Sequence, residues 1–214
     1  MNKLLMLLVA LGAAVPGAQA QDAKAGEKKV AMCVGCHGIV GYQSSFPEIH
    51  KVPMIAGQNA KFIASALNGY KSGERKHPTM RAIATSLTDQ DIADVAAYYE
   101  QLGGPAPPLP EQVPAPSAEV AKLIEKGACA SCHGPNFSKP IDPAYPKIAG
   151  QHADYLFVAL KAYQTERSPQ VGRSNAIMTG QVKPFSRAEL KAMANYIGSL
   201  PGTLKTVKES AFVH

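Results

Sequence analysis

Tryptophan is absent from this chain of 214 residues, and no run of lysines and arginines interrupts it. Its basic excess, 22 Lys and Arg against 16 Asp and Glu, therefore does not read as a nucleic-acid surface. No stretch alternates apolar and polar residues for long, so no sheet of consequence is expected. No apolar run reaches the ~20 residues that cross a bilayer as a helix. Cysteine is scarce. There are four, at 33, 36, 129 and 132, and the motifs around them use all four, which leaves none for a disulfide.

The first twenty residues are set apart from the rest. Lys3 gives a positive start, Leu4 to Val15 an apolar run, and Ala18-Gln19-Ala20 a small-residue cleavage site. This is the pattern of an export signal cut near Ala20/Gln21, and it predicts a periplasmic protein; an uncleaved membrane anchor is the alternative. Without Lys3 the net charge is +5, unevenly spread. Residues 21–102 hold 9 basic and 8 acidic side chains, and residues 117–214 hold 12 and 7. A polarised surface of this kind suits steering onto an acidic redox partner.

Cys33-Val34-Gly35-Cys36-His37 returns as Cys129-Ala130-Ser131-Cys132-His133. Cys-x-x-Cys-His is the attachment sequence of a c-type haem. Its thiols lie one helical turn apart and can add to the vinyl groups on one porphyrin edge, while the imidazole that follows reaches the iron. Cys33, Cys36, Cys129 and Cys132 are thus the covalent attachment candidates, and His37 and His133 the axial ones. Two Cys pairs and two His would also furnish a zinc site, but zinc leaves the surrounding repeat unexplained. The expected cofactors are two haem c groups.

That repeat is long. Val52-Pro53-Met54-Ile55-Ala56-Gly57-Gln58 recurs as Tyr145-Pro146-Lys147-Ile148-Ala149-Gly150-Gln151, 93 positions on, and Val95 to Leu102 recurs as Met193 to Leu200, 98 positions on. Between the copies, Gly103 to Pro116 carries six prolines in fourteen residues, a semi-rigid spacer. The expected organisation is a signal peptide (1–20), one domain (21–102), a proline-rich linker (103–116), a second domain (117–205) and a tail (206–214). Each copy reads as three helices: one from about Asp22 to Met32 or Ala118 to Lys126, one bearing the apolar face 62, 63, 66, 67 and 70 or its counterpart, and one opened by a capping box, Thr88/Asp91 or Ser186/Glu189.

A haem iron with one His needs a sixth ligand or stands open to chemistry. Met80 lies eight residues before Thr88, and Met178 eight before Ser186, so each copy offers a methionine at one matched place. A thioether there favours reduced iron. Met193 lies on an apolar stripe and reads as core filler, and Met54 is replaced by Lys147 in the second copy. His50, His77, His152 and His214 are the alternative ligands, His77 foremost because it is three residues from Met80. Pro53 and Pro146 carbonyls are candidate acceptors for the second nitrogens of His37 and His133. Gln58, Gln151, Arg75, Lys76 and Arg167 are candidate donors to haem propionates.

With its two Cys-x-x-Cys-His-Gly runs, two Pro-x-Ile-Ala-Gly-Gln segments and matched Met80 and Met178, the chain resembles the dihaem cytochrome c4 family over essentially all of its mature length. The resemblance implies an all-α fold of two class I cytochrome c domains packed about a pseudo-twofold axis, with haem propionates meeting near the interface. It implies a monomeric electron carrier of the periplasm rather than an enzyme, serving a membrane oxidase or a cytochrome bc1-type donor, with peripheral membrane association left open. One rival reading is the electron-transfer subunit of a dehydrogenase complex oxidising sulfur compounds or alcohols. Another is a dihaem peroxidase, which needs an open or His-ligated distal site and so conflicts with two matched methionines. Two departures stand out: Gly26 is aligned with Ile124, and the linker is unusually rich in proline.

Overall fold

The computed structural model describes residues 21–110 and 112–208. The expected export signal with its cleavage point, and residues 209–214 of the tail, lie outside the described residues.

The first half holds α1 (Ala23–Glu27), α2 (Ala31–His37), α3 (Ala60–Ser72), α4 (Pro78–Thr85) and α5 (Asp89–Leu102). The second repeats them as α6 (Ala118–Lys126), α7 (Cys129–His133), α8 (Ala153–Tyr163), α9 (Ala176–Val182) and α10 (Arg187–Ser199). The opening helix expected from Asp22 to Met32 is instead broken into α1 and α2, because Val30 turns inward between them and is 2% exposed. In the second half the break falls at Ala128, which adopts a left-handed conformation (φ 44°). Both capping boxes form as expected, Thr88 with Asp91 and Ser186 with Glu189. The stripes that follow are buried: Ile92, Val95, Ala96 and Tyr99 in one half, Leu190, Met193, Ala194, Ile197 and Leu200 in the other. The short helices α4 and α9 were not expected. Each is about two turns long, too short to show a periodic face.

Gly26 lets α1 lie directly on α5. A Cβ there would stand 2.2 Å from the Asp94 carbonyl oxygen and 2.9 Å from Tyr98 Cβ. Lys29 reinforces this crossing through ion pairs with Asp91 at 2.6 Å and Asp94 at 2.9 Å. With Ile124 in the corresponding helix, α6 stands off from α10, and a cleft of about 430 Å³ opens between Ile124, Ala130 and Tyr196. The second core is also divided, one cluster around Phe137 and Leu156 and another around Phe185 and Leu190.

Among the described residues, four two-residue strands form two antiparallel pairs: β1 (Gln43–Ser44) with β2 (His50–Lys51), and β3 (Arg75–Lys76) with β4 (Gly172–Arg173). The second pair joins the halves. Beyond α10 the chain returns to the first half, where Lys205 N donates to the Ala56 carbonyl at 3.0 Å and Val207 packs against the first core.

Candidate functional site

Each half places its motif on a helix. The four thiols are free and half-buried, with Cys33 packed against the first core and Cys129 against the second. A helical Cys-x-x-Cys turns both sulfurs toward one side, because residues three apart lie on one face. Among the described residues no three His, Cys, Asp or Glu side chains gather as a metal-binding group, so the two Cys-x-x-Cys-His runs are not pooled into a zinc site.

The two motif histidines are fixed identically. His37 Nδ1 lies 2.9 Å from the Pro53 carbonyl, and His133 Nδ1 lies 2.9 Å from the Pro146 carbonyl. A carbonyl only accepts, so Nδ1 carries the proton and Nε2 keeps its lone pair for a metal. Burial lowers the pKa of both imidazoles, against the smaller opposing effect of the proline carbonyls. They are therefore neutral near pH 7, the protonation state of an iron ligand. The expectation about the prolines is met.

The methionines sit on matched elements as well. His77 caps α4, accepting the Met80 amide on Nδ1 at 3.4 Å; Asn175 caps α9, accepting the Met178 amide on Oδ1 at 3.0 Å. Met80 and Met178 are each the third residue of their helix and pack against the apolar core of their half. His77, the foremost alternative ligand, thus holds the cap position that Asn175 holds in the other half. His50 is buried, with Nδ1 2.8 Å from the Glu48 carbonyl and its ring stacked on Tyr155. His152 is the residue preceding α8, and His214 lies outside the described residues.

Of the candidate propionate donors, Gln58 and Gln151 are committed elsewhere. Gln58 is bonded to both backbone groups of Lys147, and Gln151 to both backbone groups of Met54. Lys76 donates to the Ser168 carbonyl at 2.8 Å, and Arg167 is exposed. Arg75 keeps its candidacy. Its true counterpart is Arg173, which the sequence reading overlooked: the 98-residue offset that relates Met80 to Met178 also relates Arg75 to Arg173. The two are direct partners across β3 and β4. The Arg75 guanidinium lies 5.0 Å from the Tyr70 ring, and Arg173 lies 5.4 Å from the Tyr163 ring and donates to Tyr155 Oη at 3.1 Å. Burial pushes the Tyr155 phenol up, but Arg173 and then Arg75 outweigh it and bring it down to about 8.

These residues fit covalently held haem. Thiols on one helical face, an imidazole with its outer nitrogen anchored, a thioether on a capped helix and a cation without a carboxylate partner among the described residues are groups that suit a haem c, and they occur twice.

Comparison with known proteins gives the same grouping. Residues 23–103 and 117–201 each match the Cytochrome c family model. Cytochrome c4 of Pseudomonas aeruginosa is 33% identical over 206 residues, spanning 94% of this chain and 100% of the relative. A protein of Stutzerimonas stutzeri named thiosulfate dehydrogenase electron acceptor is 29% identical, spanning 91% of each chain. Among solved structures, reduced recombinant cytochrome c4 from Pseudomonas stutzeri superposes with a TM-score of 0.65 at 30% identity, over 85% of this chain and 100% of that one.

Proposed function

The chain belongs to the dihaem cytochrome c4 family, two tandem cytochrome c domains that carry two covalent haem c groups and transfer electrons, and we propose that it does so in the periplasm, between respiratory donors and a terminal acceptor such as an oxidase. The observation that carries this reading is the doubled site, in which each half offers one proline-anchored imidazole and one methionine at the third position of a capped helix.

A bound haem c supplies one reversible electron at its iron. Cys33 and Cys36 tether it in the first half, Cys129 and Cys132 in the second. His37 and His133 would offer Nε2 to the iron of their half. Met80 and Met178 would supply sulfur to it, which would favour the reduced state and keep water and substrate from the metal. The basic balance of residues 117–214 makes the second half the face for an acidic partner.

Optical and electron paramagnetic resonance spectra of the purified mature protein test this. Two haems per chain, both low-spin with sulfur bound, are expected. Ready binding of carbon monoxide or cyanide to one native haem contradicts it and reopens a peroxidase-type site.

A second reading draws on the thiosulfate dehydrogenase electron acceptor among the relatives: this chain accepts electrons from a sulfur-oxidising dehydrogenase. A dehydrogenase co-purifying with the protein and reducing it at catalytic rates decides for that reading; equal reduction by any donor of similar potential decides against it.

A further inference from the structure

We propose that residues 202–208, which return from the second half to the first, are a positioning strap for His37. By fixing the segment that carries Pro53, the strap sets the axial imidazole of the first half from outside that half. The proposal rests on the two-haem reading above and deepens it.

The two proline segments are fastened differently. Upstream, each is tied to its own half, Val52 N to the Tyr42 carbonyl and Tyr145 N to the Asp142 carbonyl, both at 2.9 Å. Each also reaches the last helix of its half, Gly57 N to the Tyr99 carbonyl and Gly150 N to the Ile197 carbonyl. Between these points they diverge. The Ile148 and Ala149 amides both donate to Phe137 of their own half, at 2.8 and 3.1 Å. Among the described residues, neither Ile55 nor Ala56 makes such a bond within the first half. The second half holds this stretch instead. Gln151 bonds both backbone groups of Met54, Lys147 Nζ donates to the Gly57 carbonyl at 2.7 Å, and Lys205 N donates to the Ala56 carbonyl at 3.0 Å.

The strap is firmly seated. Leu204 is buried, Val207 packs on the first core, and Lys205 Nζ donates to the Gly103 carbonyl at 2.8 Å. Gly57, at φ 83°, lies between the strap and Gly103. A Cβ on Gly57 would stand 3.1 Å from the Thr203 carbonyl oxygen, and one on Gly103 would stand 2.3 Å from Gly57 Cα. Neither side leaves room to slide.

Ala56 is three residues beyond Pro53, whose carbonyl meets His37 Nδ1 at 2.9 Å. An acceptor held firmly on that nitrogen orients the ring and makes it a more basic metal ligand. A more basic ligand favours oxidised iron. Loosening the strap would therefore raise the potential of the first haem and spare the second, whose His133 is anchored by a segment that Phe137 fastens.

The test compares two holoprotein variants with the parent. Lys205→Pro removes the amide hydrogen that reaches Ala56, whereas Lys205→Ala keeps it and removes only the Nζ bond. Nuclear magnetic resonance follows solvent exchange of the His37 and His133 Nδ1 protons, and a redox titration resolves the two haems. In Lys205→Pro the His37 proton is expected to exchange severalfold faster and the first midpoint potential to rise. His133, the second haem and the count of two haems are expected to stay unchanged, and Lys205→Ala to match the parent. No change at His37, an equal change in both halves, or the same change in Lys205→Ala overturns the strap. If Lys205→Pro does not accumulate, native-state hydrogen exchange of the parent decides. The Lys205 amide and the His37 Nδ1 proton must then open together across a denaturant series, and openings of different denaturant sensitivity overturn the proposal. Fewer than two haems in the parent defeats only the reading beneath, because His37 exchange is read with or without iron.

Discussion

Gln58 and Gln151 exchange places across the interface between the halves. Gln58 donates from Nε2 to the Lys147 carbonyl at 2.9 Å and accepts the Lys147 amide on Oε1 at 3.0 Å, while Gln151 does the same to Met54 at 2.8 and 3.0 Å. Since Gln58 corresponds to Gln151 and Met54 to Lys147, the four bonds form a pseudo-twofold set. Both glutamines are 4% exposed. Lys147, which breaks the chemical likeness to Met54, adds a bond from Nζ to the Gly57 carbonyl at 2.7 Å.

Removing either glutamine leaves a half-buried amide and carbonyl of the opposite half unpaired. Gln58→Ala or Gln151→Ala is expected to lower stability by about 1–3 kcal/mol, with both halves loosened together. Calorimetry reads this as a lower melting temperature, or as one transition resolving into two. An unchanged melting curve in both variants defeats the idea that these bonds hold the halves together.

Gly26→Ala drives a methyl into the Asp94 carbonyl, which is backbone and cannot swing aside. Overpacking of this kind costs roughly 1–3 kcal/mol, and α1 is expected to lift from α5. Gly35→Ala is the control, since nothing lies within 4 Å of its added Cβ and its helical site gains about 0.5–1 kcal/mol. Chemical denaturation of the two variants should move in opposite directions.

On the ligation proposed above, Met80→His and Met178→His each replace a sulfur ligand of one iron with nitrogen. Each is expected to lower the potential of its own half and to abolish that half's sulfur-to-iron charge-transfer band. A variant whose spectrum and potentials match the parent shows that the methionine is not a ligand.

Asp94 accepts from Asp22 N, Lys29 Nζ and Gln90 Nε2, and Lys29 foremost holds its carboxyl below the usual range. A depressed folded value means that its stabilisation is complete above the unfolded value of about 4 and is lost as pH falls through the folded one. Asp91 shifts in the same direction, and the raised pKa of Lys29 places its own contribution below the alkaline range. The stability gap between the parent and Asp94→Asn should therefore be largest near neutrality and narrow on acidification. A gap that stays constant down to about pH 2 contradicts the assignment.

Local signals were enough for much of this molecule. The Cys-x-x-Cys-His runs, the two capping boxes and the apolar stripes of α5 and α10 are decided within a few residues, by helical spacing and by hydroxyl and carboxylate groups three positions apart. The repeat offset likewise pairs Met80 with Met178. The same offset pairs Arg75 with Arg173, of which only Arg75 stood among the candidate donors.

What only the tertiary structure decided is how the halves meet. Gln58 and Gln151 look like propionate donors when only their position near the motif is considered, but an amide side chain bonds whatever the packing brings to it, and here that is the opposite backbone. The facing of Arg75 and Arg173 is likewise invisible in one dimension, because two-residue strands have no pattern of their own and pair only where the cores on either side bring them together. Sequence determined the chemistry of each half, since a haem motif is local. Packing determined the relation between the halves, since an interface is made of residues about ninety positions apart whose contact nothing in the chain between them encodes.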